Sequence, residues 1–210
     1  MLSKSEINAA LEERHGADIQ SKLSAASVGI AGLGGLGSNV AVYLTRLGVG
    51  RLVLVDFDRV DITNLNRQHY FLPHIGQYKT DALKEQLLQI NPYLKFETHT
   101  VRITSENVRE LFSDCNIICE AFDKPDQKAM LVEAVLSLLP KIPIVSGSGM
   151  AGFAPANEIR TVKRLGRLYL CGDGRSDSEI CGGLMAPRVA VCAAHEATEI
   201  LRLILGERKI

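Results

Sequence analysis

A short apolar run, Val28 to Ala31, ends in Gly32-Leu33-Gly34-Gly35-Leu36-Gly37-Ser38, and a helical pattern starts inside those glycines. No other stretch constrains the fold as strongly. A strand that feeds a glycine turn lets backbone come close to a phosphate, and the following helix aims its unpaired N–H groups and positive dipole end at the anion. The next apolar run, Leu52 to Val55, ends in Asp56, where a carboxylate in such βαβ units accepts hydrogen bonds from ribose hydroxyls. These glycines alone fit a dinucleotide cofactor or ATP about equally well.

The remaining pattern extends the βαβ unit. Apolar positions at helical spacing from about Ser5 to Leu23 predict an amphipathic N-terminal helix, suited to a lid or a dimer arm. The expected order is then strand Val28 to Gly32, helix Gly37 to Leu47, strand Arg51 to Asp56, helix Lys79 to Ile90 and strand Lys95 to Val101. A short helix near Ser105 to Phe112, strand Asn116 to Ala121, helix Pro125 to Leu138 and strand Ile142 to Ser146 follow. Such alternation predicts an α/β fold: a doubly wound, Rossmann-like, mostly parallel sheet preceded by an N-terminal helix. Glu158 to Val162 and Arg167 to Leu170 read as antiparallel C-terminal strands, and Gly172 to Gly183 as a mobile loop. Pro187 suits the first turn of a closing helix that Gly206 ends. With 210 residues, 46% of them hydrophobic, one domain spanning 1–210 is expected, with 1–26 as a helical arm.

Lys and Arg (24) balance Asp and Glu (24), so no global field would hold the chain on nucleic acid or an anionic membrane. The N-terminal residues lack a signal-peptide core, and no apolar stretch approaches roughly 20 residues. Five cysteines without regular spacing do not resemble a disulfide framework. A cytoplasmic protein is expected.

The segment Phe57 to Gln77 is polar, irregular and too long for an ordinary connection, which marks it as functional. It carries Asp58, Asn64, Asn66, Arg67 and Gln68; Lys79 follows it, and Asp123 stands at the tip of the fourth strand. In an open parallel sheet all of these fall at the carboxyl edge, where ligands bind. Arg67 and Lys79 suit a triphosphate and its leaving pyrophosphate, Asn64 and Asn66 suit phosphate oxygens, and Asp123 suits Mg2+. That set favours nucleotidyl transfer over hydride transfer, because a nicotinamide pocket would need apolar walls.

The order GLGGLGS, LVDFDRVDITNLNRQ, GQYKTDAL, EAFD and ICGGLMAP closely resembles the ThiF/MoeB/ubiquitin-activating-enzyme superfamily, from about Val28 to Leu205. The chain looks most like the short ThiF-type proteins. The resemblance implies ATP- and Mg2+-dependent adenylation of the C-terminal glycine of a ubiquitin-like sulfur carrier ending in Gly-Gly, such as ThiS, in thiamine biosynthesis, by a homodimer. Carried over by position, it places Gly32, Gly34, Gly35 and Gly37 in the phosphate turn and Asp56 and Asp58 at the nucleotide. Asn64, Asn66, Arg67 and Lys79 fall at the phosphates and Asp123 at the metal. Arg14 matches an arginine that reaches the partner subunit's ATP, and Cys181 a cysteine that can bond to the carrier or handle sulfur. Longer relatives bind zinc through two Cys-x-x-Cys pairs, which this chain lacks, so zinc is not expected, and any sulfur would come from a separate donor protein. Lys124 stands where relatives carry Asn. MoeB-like activation of a molybdopterin carrier and dehydration of a modified tRNA adenosine stay open as alternatives, as do a NAD-dependent oxidoreductase and a carrier-binding module without chemistry.

Overall fold

The computed structural model describes residues 2–207. Seven strands form one sheet in the order β3-β2-β1-β4-β5-β7-β6. Strands β1 (Ser27–Ala31), β2 (Arg51–Val55), β3 (Lys95–His99), β4 (Ile117–Glu120) and β5 (Ile144–Gly147) are parallel throughout. The C-terminal strands β6 (Arg160–Arg164) and β7 (Leu168–Gly172) pair antiparallel with each other, as expected, and β7 joins the sheet parallel to β5. Chain order reverses between β1 and β4, so the topological switch point opens at their carboxyl ends, beside the glycine turn.

Each face of the sheet is covered, which explains the unbroken burial of β1, β4 and β5. On one side Val28, Ile30, Leu52, Leu54, Cys119 and Val145 pack under α3 (Gly35–Leu47), α4 (Lys79–Ile90) and α7 (Ala186–Leu205). On the other, Val53, Val55, Ile118 and Ile144 pack under α5 (Val108–Phe112) and α6 (Pro125–Leu138). Gly29 is glycine because a Cβ there would meet the Phe112 ring.

The expected single N-terminal helix is two helices. Ser3 opens α1 (Lys4–His15) with a capping box, accepting the Glu6 amide while the Glu6 carboxylate takes the Ser3 amide at 2.8 Å. Gly16 then turns to φ +90°, breaks the helix, and starts α2 (Ala17–Ala25). Periodicity did not reveal this break because both halves keep helical spacing. α1 buries none of its residues, whereas α2 buries Gln20 and Leu23. No described helix is long and apolar enough to cross a membrane.

Candidate active site

At the carboxyl edge, a cavity of about 600 Å3 runs from Asp56 and Ile103, past the glycine turn, to Ser148 and the 176–178 segment. The turn itself is tightly determined. Gly32 sits at φ +90° with its amide on the Val55 carbonyl (2.9 Å), and a Cβ would come within 3.0 Å of the Ala121 carbonyl oxygen. Gly37 lies directly on the Gly32 carbonyl, where no side chain fits, so it brings helix and strand together without lining the cavity. Gly34 caps α3, and Gly34, Gly35 and Leu36 form the cavity floor. The first N–H groups of α3, which have no partner within a helix, therefore open onto it.

Asp56 caps the neighbouring strand. Its Oδ2 accepts the Leu33 amide at 2.7 Å and its Oδ1 the Asp58 amide at 2.8 Å, leaving one lone pair on each oxygen for a ligand hydroxyl. Burial pushes its carboxyl above the usual range, against the pull of the Lys79 ammonium and the two amides. Lys79, in the first turn of α4, is buried; its Nζ sits 2.9 Å from Asp58 and 3.9 Å from Asp56.

The long loop is fixed, not slack. Tyr70 donates to the Leu33 carbonyl at 2.8 Å, the His69 amide to the Ser38 hydroxyl at 3.0 Å, and Asn39 to the Arg67 carbonyl at 3.2 Å. These bonds clamp the loop to α3 and set the Arg67 stem against Gly35, where an added Cβ would lie 3.5 Å from it. Arg67 and Gln68 line the cavity, and the buried Arg67 Nε and Gln68 Oε1 have no hydrogen-bond partner. These unmet buried polar atoms beside the glycine turn leave one donor and one acceptor for a ligand.

Asp123 lines the opposite wall with Lys124, and among the described residues it makes no hydrogen bond or ion pair. No three His, Cys, Asp or Glu side chains among the described residues come together as a metal cage. A lone carboxylate suits Mg2+, which is usually held by one or two carboxylates together with substrate phosphates and water.

The other expected residues fall outside the cavity lining. Asn64 turns its oxygen to the Asp61 amide at 3.0 Å and so closes the short helical turn Ile62–Asn64. Asn66 bridges Arg67 (2.8 Å) and the Leu184 carbonyl (3.2 Å), orienting the arginine from behind. Cys181 is half-buried against Gly152, in the loop that contributes Ser176, Asp177 and Ser178 to the cavity. Arg14 is exposed on α1.

Two cavity cations, Arg102 and Lys128, were not singled out from sequence. Lys128, one turn into α6, is held by the fully buried Glu120 at 2.8 Å and by the Phe122 carbonyl at 3.0 Å, and Ser146 donates to the same carboxylate. The signal was present in the chain: a glutamate inside an apolar strand needs a partner, and a lysine three residues into the following helix can supply one.

Comparison with known proteins gives a family and a fold. The model of the ThiF family matches residues 7–210. Adenylyltransferase and sulfurtransferase UBA4 of Scheffersomyces stipitis is 30% identical over 194 residues, covering 89% of this chain and 43% of that protein. The Eremothecium gossypii protein of the same name is 32% identical over 201 residues, covering 92% and 45%. The chain thus spans less than half the length of these curated relatives. Among solved structures, the Escherichia coli tRNA N6-threonylcarbamoyladenosine dehydratase TcdA, in complex with ATP, superposes with a TM-score of 0.86 at 21% identity, covering 99% of this chain and 98% of its own. Escherichia coli MccB superposes with a TM-score of 0.71 at 24% identity, covering 91% and 59%.

Proposed function

This chain belongs to the ThiF family, and from that premise we propose that it is an ATP-dependent adenylyltransferase whose acceptor is the C-terminal carboxylate of a small ubiquitin-like carrier ending in Gly-Gly. One observation carries the reading: the glycine turn, Arg67, Lys79 and Asp123 converge on a single cavity in which the buried Arg67 Nε and Gln68 Oε1 lack partners. In this reading ATP lies with its ribose on Asp56 and its phosphates over the amides of Gly34 to Leu36. The acceptor oxygen attacks the α-phosphate, the bond to the β-phosphate oxygen breaks, and pyrophosphate leaves with the bridging electrons. Arg67 and Lys79 neutralise the charge that builds on the phosphoryl and leaving oxygens. Mg2+, held through Asp123 and the phosphates, would supply further charge neutralisation. Asn64 and Asn66 act by holding the loop and Arg67, and in this reading Arg14, exposed on α1, would act across a homodimer. Cys181, in the loop that already borders the cavity, would attack the acyl adenylate as a thiolate, forming a thioester and releasing AMP.

The charged side chains that line the cavity, among them Arg67, Lys79, Asp123, Lys124 and Lys128, speak against a nicotinamide site. The relatives named above do not point to thiamine biosynthesis, and their names favour sulfur transfer or tRNA modification. The end-to-end match to TcdA favours one second reading, activation of a modified tRNA adenosine. Incubation with ATP, Mg2+ and either a Gly-Gly carrier or threonylcarbamoyl-modified tRNA separates them: intact mass reads carrier adenylate, and nucleoside analysis reads dehydration.

A further inference from the structure

The cavity wall farthest from Asp56 is built from two loops, 148–151 and 176–178. Neither belongs to a helix or strand, so something must hold them. That role falls to Arg188, in the first turn of α7, only 5% exposed although it is an arginine. One of its terminal nitrogens donates to the carbonyls of Ala154 and Pro155, and the other pairs with the Asp173 carboxylate, itself 3% exposed in its side chain.

Asp173 passes the constraint onward. Its other oxygen accepts the amides of Arg175 (2.9 Å) and Ser176 (2.8 Å), and the Ser176 hydroxyl accepts the Ala151 amide at 3.0 Å. Burial pushes the Asp173 carboxyl up, but the Ser176 and Arg175 amides, the Ser176 hydroxyl and Arg188 together hold it at about 2. The two loops are also zipped by Asp173 N–H to Gly149 (2.9 Å), Gly174 N–H to Ser148 (2.9 Å) and Gly152 N–H to Gly183 (2.8 Å). A buried ion pair is a weak source of net stability, because desolvation offsets most of the attraction, so its use lies in fixing geometry.

The geometry points to a latch: Arg188 and Asp173 are positioning residues that hold the 173–183 loop as the acceptor-side wall of the cavity, and so set how the second substrate, an extended acyl chain ending in an oxygen nucleophile, meets the nucleotide. The assignment to the acceptor rests on the adenylyltransferase reading; the latch itself does not. It follows from the length of the cavity. Asp56 and the glycine turn account for ribose and phosphates at one end, whereas Ser148, Ala151 and the 176–178 segment line the other.

Asp173→Asn keeps an acceptor for the two amides but removes the charge, and Arg188→Lys keeps a charge but loses the fork that reaches three oxygens. Arg175, whose side chain is 72% exposed, gives trypsin a site inside the loop. With both variants melting as cooperative units, cleavage after Arg175 is expected to speed up by about tenfold or more, in line with the loss of a charged buried hydrogen bond. The KM for the acceptor should rise by a similar factor, and the Kd for ATP should stay within about twofold. Unchanged cleavage in both variants overturns the latch. Faster cleavage with an unchanged acceptor KM, or with ATP affinity falling equally, overturns its acceptor-side role. If both variants fail to fold, hydrogen exchange on the wild-type protein decides: slow exchange at Arg175 and Ser176 supports the latch, and exchange as fast as in a free peptide overturns it. A wild-type protein that shows the cleavage pattern but binds no ATP contradicts the adenylyltransferase reading and leaves the latch standing.

Discussion

The Lys79 ammonium lies 2.9 Å from Asp58 and 3.9 Å from Asp56, so one buried cation serves both carboxylates at the end of β2. Asp58 is about half exposed, which makes it the partner that can yield when phosphate oxygens compete for the ammonium. Lys79→Met keeps most of the buried stem and removes the charge. Turnover should fall by about a hundredfold or more, as when one preorganised donor is taken from a developing anion. Single-turnover adenylate formation checks this, and near-normal rates would remove Lys79 from the phosphates.

Arg67 meets the cavity through a side chain wedged on Gly35 and steadied by Asn66. Arg67→Ala should abolish measurable adenylation, and Arg67→Lys should fail to restore it, because an ammonium has no planar fork. Recovery by lysine in the same rate assay would mean that charge alone suffices there.

The architecture was largely legible in the sequence, for a physical reason. Strands buried on both faces leave continuous apolar runs, and Gly32 and Gly37 are demanded by a positive φ and a close helix approach. The Gly16 break was hidden, because a helix interruption that keeps helical spacing on both sides leaves no mark in periodicity. At the site, residues fixed by backbone position, such as Asp56, Lys79 and Asp123, line the cavity as expected. Asn64 and Asn66 were harder to place, since loop side chains choose between ligand and local backbone, and here they cap a turn and brace an arginine. Arg188 acts through the Ala154 and Pro155 carbonyls and the Asp173 carboxylate, partners distant in sequence that a single chain read in order does not show, whereas Lys128 and Glu120 lie close enough in the chain for their pairing to have been read from it.

Asp123 makes no hydrogen bond or ion pair among the described residues, so its replacement should spare the fold. Asp123→Asn is expected to raise the Mg2+ concentration for half-maximal turnover by about tenfold or more, the effect of removing one charged ligand. Metal titration of the variant measures it; identical curves with unchanged turnover would exclude Asp123 as the metal residue.

Gly32→Ala combines a left-handed backbone with a Cβ only 3.0 Å from the Ala121 carbonyl oxygen. A loss of about 2 to 3 kcal/mol is expected. Denaturant melts with an unchanged slope would report that loss, whereas a stability equal to wild type would mean the turn relaxes freely.

Glu196 is fully buried and neither carboxylate oxygen finds a partner, while burial, reinforced by Glu120 and opposed by Lys128, holds its carboxyl well above its ordinary value of 4.5. The folded state therefore keeps a proton that the unfolded chain releases, and this residue makes stability fall as pH rises above that value. Glu196→Gln should gain on the wild type as the pH is raised above the ordinary value of 4.5. Parallel melting curves for the two proteins across that rise in pH would show that Glu196 is not held protonated.

ATP–pyrophosphate exchange, run with Mg2+ and small carriers ending in Gly-Gly and the same carriers lacking the last glycine, tests the central claim most directly. The account predicts exchange that needs the intact tail and disappears in Arg67→Ala. Absence of exchange with every carrier, in a protein that binds NAD and not ATP, would contradict it.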